Sequence, residues 1–114
     1  MGVKKIQKRL RDLGDHKKAK ELQKFFKTGP GEYGEGDVFL GISVPQLRKL
    51  AKEYQGITSK EVERLLKSSI HDQRLLSLLI LVLKYSKGDH AEKKRIYEFY
   101  LKNIRYVNNW DLVD

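Results

Sequence analysis

Residues 70–85 read Ile-His-Asp-Gln-Arg-Leu-Leu-Ser-Leu-Leu-Ile-Leu-Val-Leu-Lys-Tyr, and the reading of this stretch decides the fold. From Leu75 to Leu83 every residue but Ser77 is apolar. A run of that length suits a buried strand or a buried helix. Leucine dominates, and the polar His71-Asp72-Gln73-Arg74 leads into it, so a helix from about Ile70 to Tyr85 is the reading. The run is too short to span a bilayer. A helix apolar nearly all round belongs inside a bundle or a layered stack of helices.

The segments around it are helical too. Upstream, Thr58-Ser59-Lys60-Glu61 is a capping box, in which the Thr hydroxyl and the Glu carboxylate each take a backbone N–H at the helix start. Val62, Leu65 and Leu66 follow at helical spacing. Earlier still, Ser43 and Gln46 form another box, with Pro45 in the first turn, where its missing N–H costs nothing. Val44, Leu47, Leu50, Ala51 and Tyr54 are the apolar side of that helix, which Gly56 ends. Downstream, Asp89-His90-Ala91-Glu92 predicts a third box, before a helix carrying Ile96, Tyr97, Phe99, Tyr100 and Leu101. At the N-terminus, Val3, Ile6, Leu10 and Leu13 mark an amphipathic helix that Gly14 ends. Asp15 caps a second one, with Ala19, Leu22, Phe25 and Phe26 on one side and Lys17, Lys18, Lys20 and Lys24 over much of the rest.

Between the second and third helices lies Thr28-Gly29-Pro30-Gly31-Glu32-Tyr33-Gly34-Glu35-Gly36-Asp37. Its glycines and proline exclude regular structure. A phosphate cradle is disfavoured, because Gly-Asp-Val stands where Gly-Lys-Ser/Thr is needed and the acidic residues repel phosphate. A connecting loop is the better reading.

One internal echo points to the architecture. Gly14-Asp15-His16 returns as Gly88-Asp89-His90, 74 residues later. Seven residues after each Asp stands an aliphatic, Leu22 or Ile96, and an aromatic pair follows, Phe25-Phe26 or Phe99-Tyr100. The offset is about two helical-hairpin repeats of roughly 37–40 residues each. We therefore expect one all-α domain over residues 1–114, an α-solenoid of antiparallel helix pairs stacked side by side. Such a stack buries a continuous core and exposes a concave face.

Composition bears on partners. Lys and Arg number 24 against 15 Asp and Glu, a formal net charge of +9. A surplus of that size favours polyanions, nucleic acid before an acidic membrane surface, and a basic concave face could embrace a duplex through its phosphates. The bland alternative is lysine kept for solubility. With no cysteine, disulfides and thiolate metal sites are excluded. His16, His71 and His90 are too widely spaced to form a metal-ligand pair. The charged start is not an apolar signal segment, and Gln7 stands where a myristoylation motif wants Ser or Thr, so a cytoplasmic protein without membrane attachment is expected.

The chemistry gathers at Asn108-Asn109-Trp110-Asp111-Leu112-Val113-Asp114. An Asn there can cap a helix that puts Trp110 and Asp114 on one face, one turn apart. An aromatic plane beside a carboxylate suits a cation or a sugar. From spacing alone, a lone tryptophan is more often a packing residue, and Asp111 near a helix start can simply complement the dipole. His71 could serve as a base, although a surface position at a helix start is the better reading. Phe25, Phe26 and Tyr33 could stack on bases, but core packing is favoured for them.

Three segments taken together resemble one family: Phe25–Asp37, then Phe39-Leu40-Gly41-Ile42-Ser43-Val44-Pro45 with Arg48, then Asn109–Asp114. In that order they resemble the AlkD-like DNA alkylation repair proteins, over essentially the whole chain. The resemblance implies HEAT-like helical repeats that wrap duplex DNA. It also implies a glycosylase that removes cationic N3- or N7-alkylated purines without full extrusion of the base. Trp110 corresponds to the family's cleft tryptophan and Asp114 to its catalytic aspartate. No cofactor or metal is implied. The family also uses an arginine and a second tryptophan from later helices, so residues 1–114 are expected to be its N-terminal half, weakly active or inactive alone. An exposed last repeat would also invite a homodimer through the C-terminal helices. The alternative function is a non-catalytic basic scaffold that holds duplex DNA; a protein-interaction scaffold is a third class.

Overall fold

The computed structural model describes residues 2–25 and 38–104, and of residues 23–25 the backbone alone. Six helices make up its regular structure: α1 (Val3–Leu13), α2 (His16–Phe25), α3 (Val44–Tyr54), α4 (Ser59–Leu66), α5 (His71–Lys87) and α6 (His90–Lys102). The predicted helix across residues 70–85 is α5, with Ile70 as its N-cap. It is the hub: α3, α4 and α6 all pack on it, and α1 packs on α4 and α5. The result is an all-α, HEAT-like helical-repeat solenoid. Leu47, Leu65, Leu66, Leu76 and Ile80 are almost wholly removed from water in one core shared by these helices.

Local chemistry sets the helix starts. Ser43 Oγ accepts from Gln46 N at 3.4 Å while Gln46 Oε1 accepts from Ser43 N at 3.3 Å, and Thr58 and Glu61 make the same reciprocal pair. The third expected box is only half made. Asp89 Oδ1 accepts from Glu92 N at 2.9 Å, but the Glu92 carboxylate lies over Gly88 and faces Arg95 at 4.0 Å instead of returning to the Asp89 N–H.

The internal echo is a repeated turn. Gly14 and Gly88 end α1 and α5 with similar dihedrals (φ −64°, ψ 150° and φ −79°, ψ 157°). Each donates its N–H back three residues, to Arg11 O at 3.2 Å and to Tyr85 O at 3.3 Å. The aspartate that follows each glycine caps the next helix, Asp15 through the Lys17 and Lys18 N–H groups at 3.0 and 3.2 Å.

An extended segment, residues 38–42, threads between the α1–α2 turn and the start of α5. Val38 bridges Ile70 in parallel, through Val38 N to Ser69 O at 3.1 Å and His71 N to Val38 O at 2.7 Å. Leu40 O accepts from Asp15 N at 2.7 Å. Asp72, only 2% exposed, accepts from Leu40 N at 2.6 Å and from Ile42 N at 3.2 Å. The fit needs glycine on both sides. At Gly41 (φ +80°) a Cβ would stand 2.3 Å from Asp15 O, and at Gly14 one would stand 2.7 Å from Leu40 O.

This junction corrects the reading of the polar prelude to α5. His71, Asp72, Gln73 and Arg74 are all buried. His71 is therefore not a surface residue at a helix start; its ring lies against Phe39, centroids 4.4 Å apart. Gln73 Oε1 accepts from Gln7 Nε2 at 3.1 Å, and Arg74 donates to Ser68 O at 2.9 Å. A buried polar group is tolerated when hydrogen-bonded, and here backbone from residues 38–42, the Ser68 carbonyl and a side chain of α1 supply partners. The far end of α5 departs from expectation in the opposite sense: Val82 is 64% exposed although the run reads as buried on all sides.

Candidate nucleic-acid interface

The cations are mostly surface side chains, Arg74 being the buried exception among the described residues. Lys17, Lys18 and Lys20 all lie exposed on α2. What distinguishes some of the others is the apolar groove beside them. Arg48 and Lys52 stand one turn apart on α3 and flank a groove of about 160 Å³ whose floor is Ala51, Leu79, Val82 and Leu83. The α3 helix supplies one wall, and Leu47, Leu50 and Tyr54 anchor it in the core. Cations at i and i+4 project in the same direction, so this rim offers two positive charges beside an apolar strip. That pairing suits a sugar-phosphate backbone, with phosphate at the rim and the sugar on the strip.

A second groove, of about 320 Å³, runs between α1 and α3 and is lined by Arg9, Lys49 and Glu53 among others. Here the charge is already engaged. Arg9 pairs with Glu53, donates to the Tyr54 hydroxyl at 2.9 Å and lies 5.6 Å from the centre of the Tyr54 ring. The Tyr54 hydrogen bond, helped by the charges of Tyr54 and Glu53, holds the guanidinium above its ordinary value. Arg9 therefore ties α1 to α3 more than it awaits a ligand.

Trp110, Asp111 and Asp114 lie outside the described residues, as do Phe26 and Tyr33 and the side chains of Phe25 and Lys24. The C-cap of α6 is Asn103. It is buried, its N–H donates to Phe99 O at 3.2 Å, and its Nδ2 donates to the same carbonyl at 2.9 Å. From the residues alone neither Asn103 nor the Arg48–Lys52 rim stands out. The i, i+3, i+4 spacing of Leu79, Val82 and Leu83 is the pattern that marks the groove floor.

Among the described residues no helix is long and apolar enough to cross a membrane, and no three His, Asp or Glu side chains converge as a metal site would require. Fold and surface together define a basic helical-repeat protein with cation-rimmed grooves. The chain belongs to the DNA alkylation repair enzyme family, whose model matches residues 6–114. Membership supports a role in DNA repair. Neither the curated proteins nor the solved structures contain a match.

Proposed function

We propose that the protein is an AlkD-like alkylpurine DNA glycosylase, in which Trp110 and Asp114 form one wall of the lesion cleft. The observation that carries this reading is the family match itself, which runs through both residues to position 114. An N3- or N7-alkylated purine already bears positive charge, so it leaves without a general acid. The sugar left behind is oxocarbenium-like and needs a negative neighbour and a placed water. The Asp114 carboxylate supplies the charge and orients or deprotonates the water. The Trp110 indole packs on the deoxyribose and attracts the developing cation. The family's cleft also uses an arginine and a second tryptophan, and Trp110 is the only tryptophan of the sequence. On this reading residues 1–114 supply one wall of the cleft and release little base alone, and the protein works in the cytoplasm.

The test is release of 7-methylguanine from methylated duplex. A longer form of the protein carrying Asp114→Asn should lose about 10²–10³-fold in rate. Full activity in that variant removes the catalytic assignment, and brisk release by the 114-residue chain removes the claim that half a cleft is insufficient.

A second reading, a scaffold that holds duplex DNA without chemistry, is favoured by the Arg48–Lys52 rim, which asks only for phosphate. It predicts equal affinity for methylated and plain duplex, with a steep fall in salt. Self-association is part of the proposal too. Tyr97, Leu101 and Ile104 are exposed on and just beyond α6, which buries no residue fully, and a second copy could cover them. Sedimentation of the wild type should show a dimer that Leu101→Glu dissociates; a monomer at high concentration counts against it.

A further inference from the structure

A third cleft, of about 380 Å³, opens where α4, α5 and α6 meet the α3–α4 turn. Its floor is apolar, built from Val62, Leu81 and Phe99. Its rim carries Lys84, Lys87 and Arg95 against one lining carboxylate, Glu92. Lys84 Nζ donates to Ile57 O, and Lys87 Nζ donates to Gln55 Oε1 at 2.8 Å. Both acceptors are neutral, so they hold the ammonium groups in place without cancelling their charge. An ammonium has three donors, and the bonds just named use one on each lysine. Arg95 is 4.0 Å from Glu92 and otherwise open to solvent. Glu61 lies near enough to Lys84 to feel its charge, but its carboxylate is tied to the Thr58 N–H at 2.9 Å.

We propose that this cleft binds a phosphate monoester or diphosphate carried on a flat apolar body, the chemistry of a nucleotide. Positioned cations take phosphate oxygens through charge-assisted hydrogen bonds, which are stronger than neutral ones. The apolar floor would do nothing for a bare inorganic ion but receives a base or a comparable ring, and the cleft is at the small end of ligand-sized pockets. The proposal does not depend on the glycosylase reading. The phosphate can come from a free nucleotide or from the 5′ end of a DNA strand.

Calorimetric titration of the full chain with ADP tests this, with adenosine and inorganic phosphate as its two halves. ADP should bind at one saturable site with Kd of roughly 1 mM or tighter. Adenosine and inorganic phosphate should each bind about tenfold more weakly or worse. The double substitution Lys87→Gln with Arg95→Gln should weaken ADP about tenfold with an unchanged melting temperature, since both side chains are solvent-facing and neither fills the core. A short duplex with and without a 5′-phosphate separates the sources. A gain from the phosphate that the double variant abolishes identifies the strand end, and ADP binding without that gain identifies the free nucleotide. Absence of saturable ADP binding, or binding that the double variant leaves intact, overturns the proposal. Base release is not the readout, so failure here leaves the glycosylase reading standing.

Discussion

Replacing Asp72 by alanine removes the acceptor on which residues 38–42 hang. Its carboxylate takes the Leu40 N–H at 2.6 Å and the Ile42 N–H at 3.2 Å, at a position 2% exposed. Water has no ready access to replace it, so both donors are left unmet. A buried donor deprived of its partner costs about 1–3 kcal/mol, and two together should cost roughly 2–6 kcal/mol. That is a large share of the ~5–15 kcal/mol that holds a small domain folded. For a domain of this size the loss corresponds to a melting point lower by roughly 8–20 °C. Asp72→Asn keeps one acceptor oxygen but turns an amide NH₂ toward the other donor, so about half the loss should remain. Urea denaturation followed by circular dichroism gives the free energies, and an unchanged slope would show that the unfolded state is not the cause. Amide exchange gives a local readout: the Leu40 and Ile42 amides should lose protection more than those of the α4 core. A cost below about 0.5 kcal/mol for Asp72→Ala, or protection at 40 and 42 no worse than elsewhere, would refute the reasoning.

Three further outcomes follow from named contacts. Gly41→Ala forces a Cβ to within 2.3 Å of Asp15 O at φ +80°, so it should destabilise by more than ~1 kcal/mol, read by the same denaturation. Glu61 is held below its ordinary value of 4.5, chiefly by the Thr58 backbone N–H. Its folded value being the lower one, its contribution is present above about pH 4.5 and is lost as pH falls through the folded value; Glu61→Gln should flatten that part of the stability–pH curve. If the groove between α3 and α5 meets DNA phosphates, Arg48→Gln together with Lys52→Gln should lower the log–log salt slope of duplex affinity by about 2. An unchanged slope places the phosphates elsewhere.

Much of the helix layout was legible because its signals are local. Ser43 and Gln46, or Thr58 and Glu61, meet across three residues of one chain segment, and the geometry follows from the helix itself. The Gly-Asp-His echo likewise reports a turn whose bonds close within four residues. The Asp89 box shows the margin of such signals. Its backbone half formed, while the long Glu92 side chain had another charge within reach in Arg95. The candidate catalytic pair was legible only through family resemblance, since the spacing of Trp110 and Asp114 by itself favours ordinary packing, and both fall outside the described residues.

By itself the sequence determined an all-α chain, the starts of its helices, a basic surface and membership of a DNA alkylation repair family, because periodicity, caps, charge and motifs are properties of short stretches. Only the tertiary structure decided that His71-Asp72-Gln73-Arg74 is an interior joint and not a surface prelude, and that Val82 in the apolar run looks outward. The reason is physical: the partners that make a buried carboxylate tolerable, the N–H groups of Leu40 and Ile42, lie about thirty residues away, and burial depends on what packs opposite a residue, which its own neighbours in sequence do not encode.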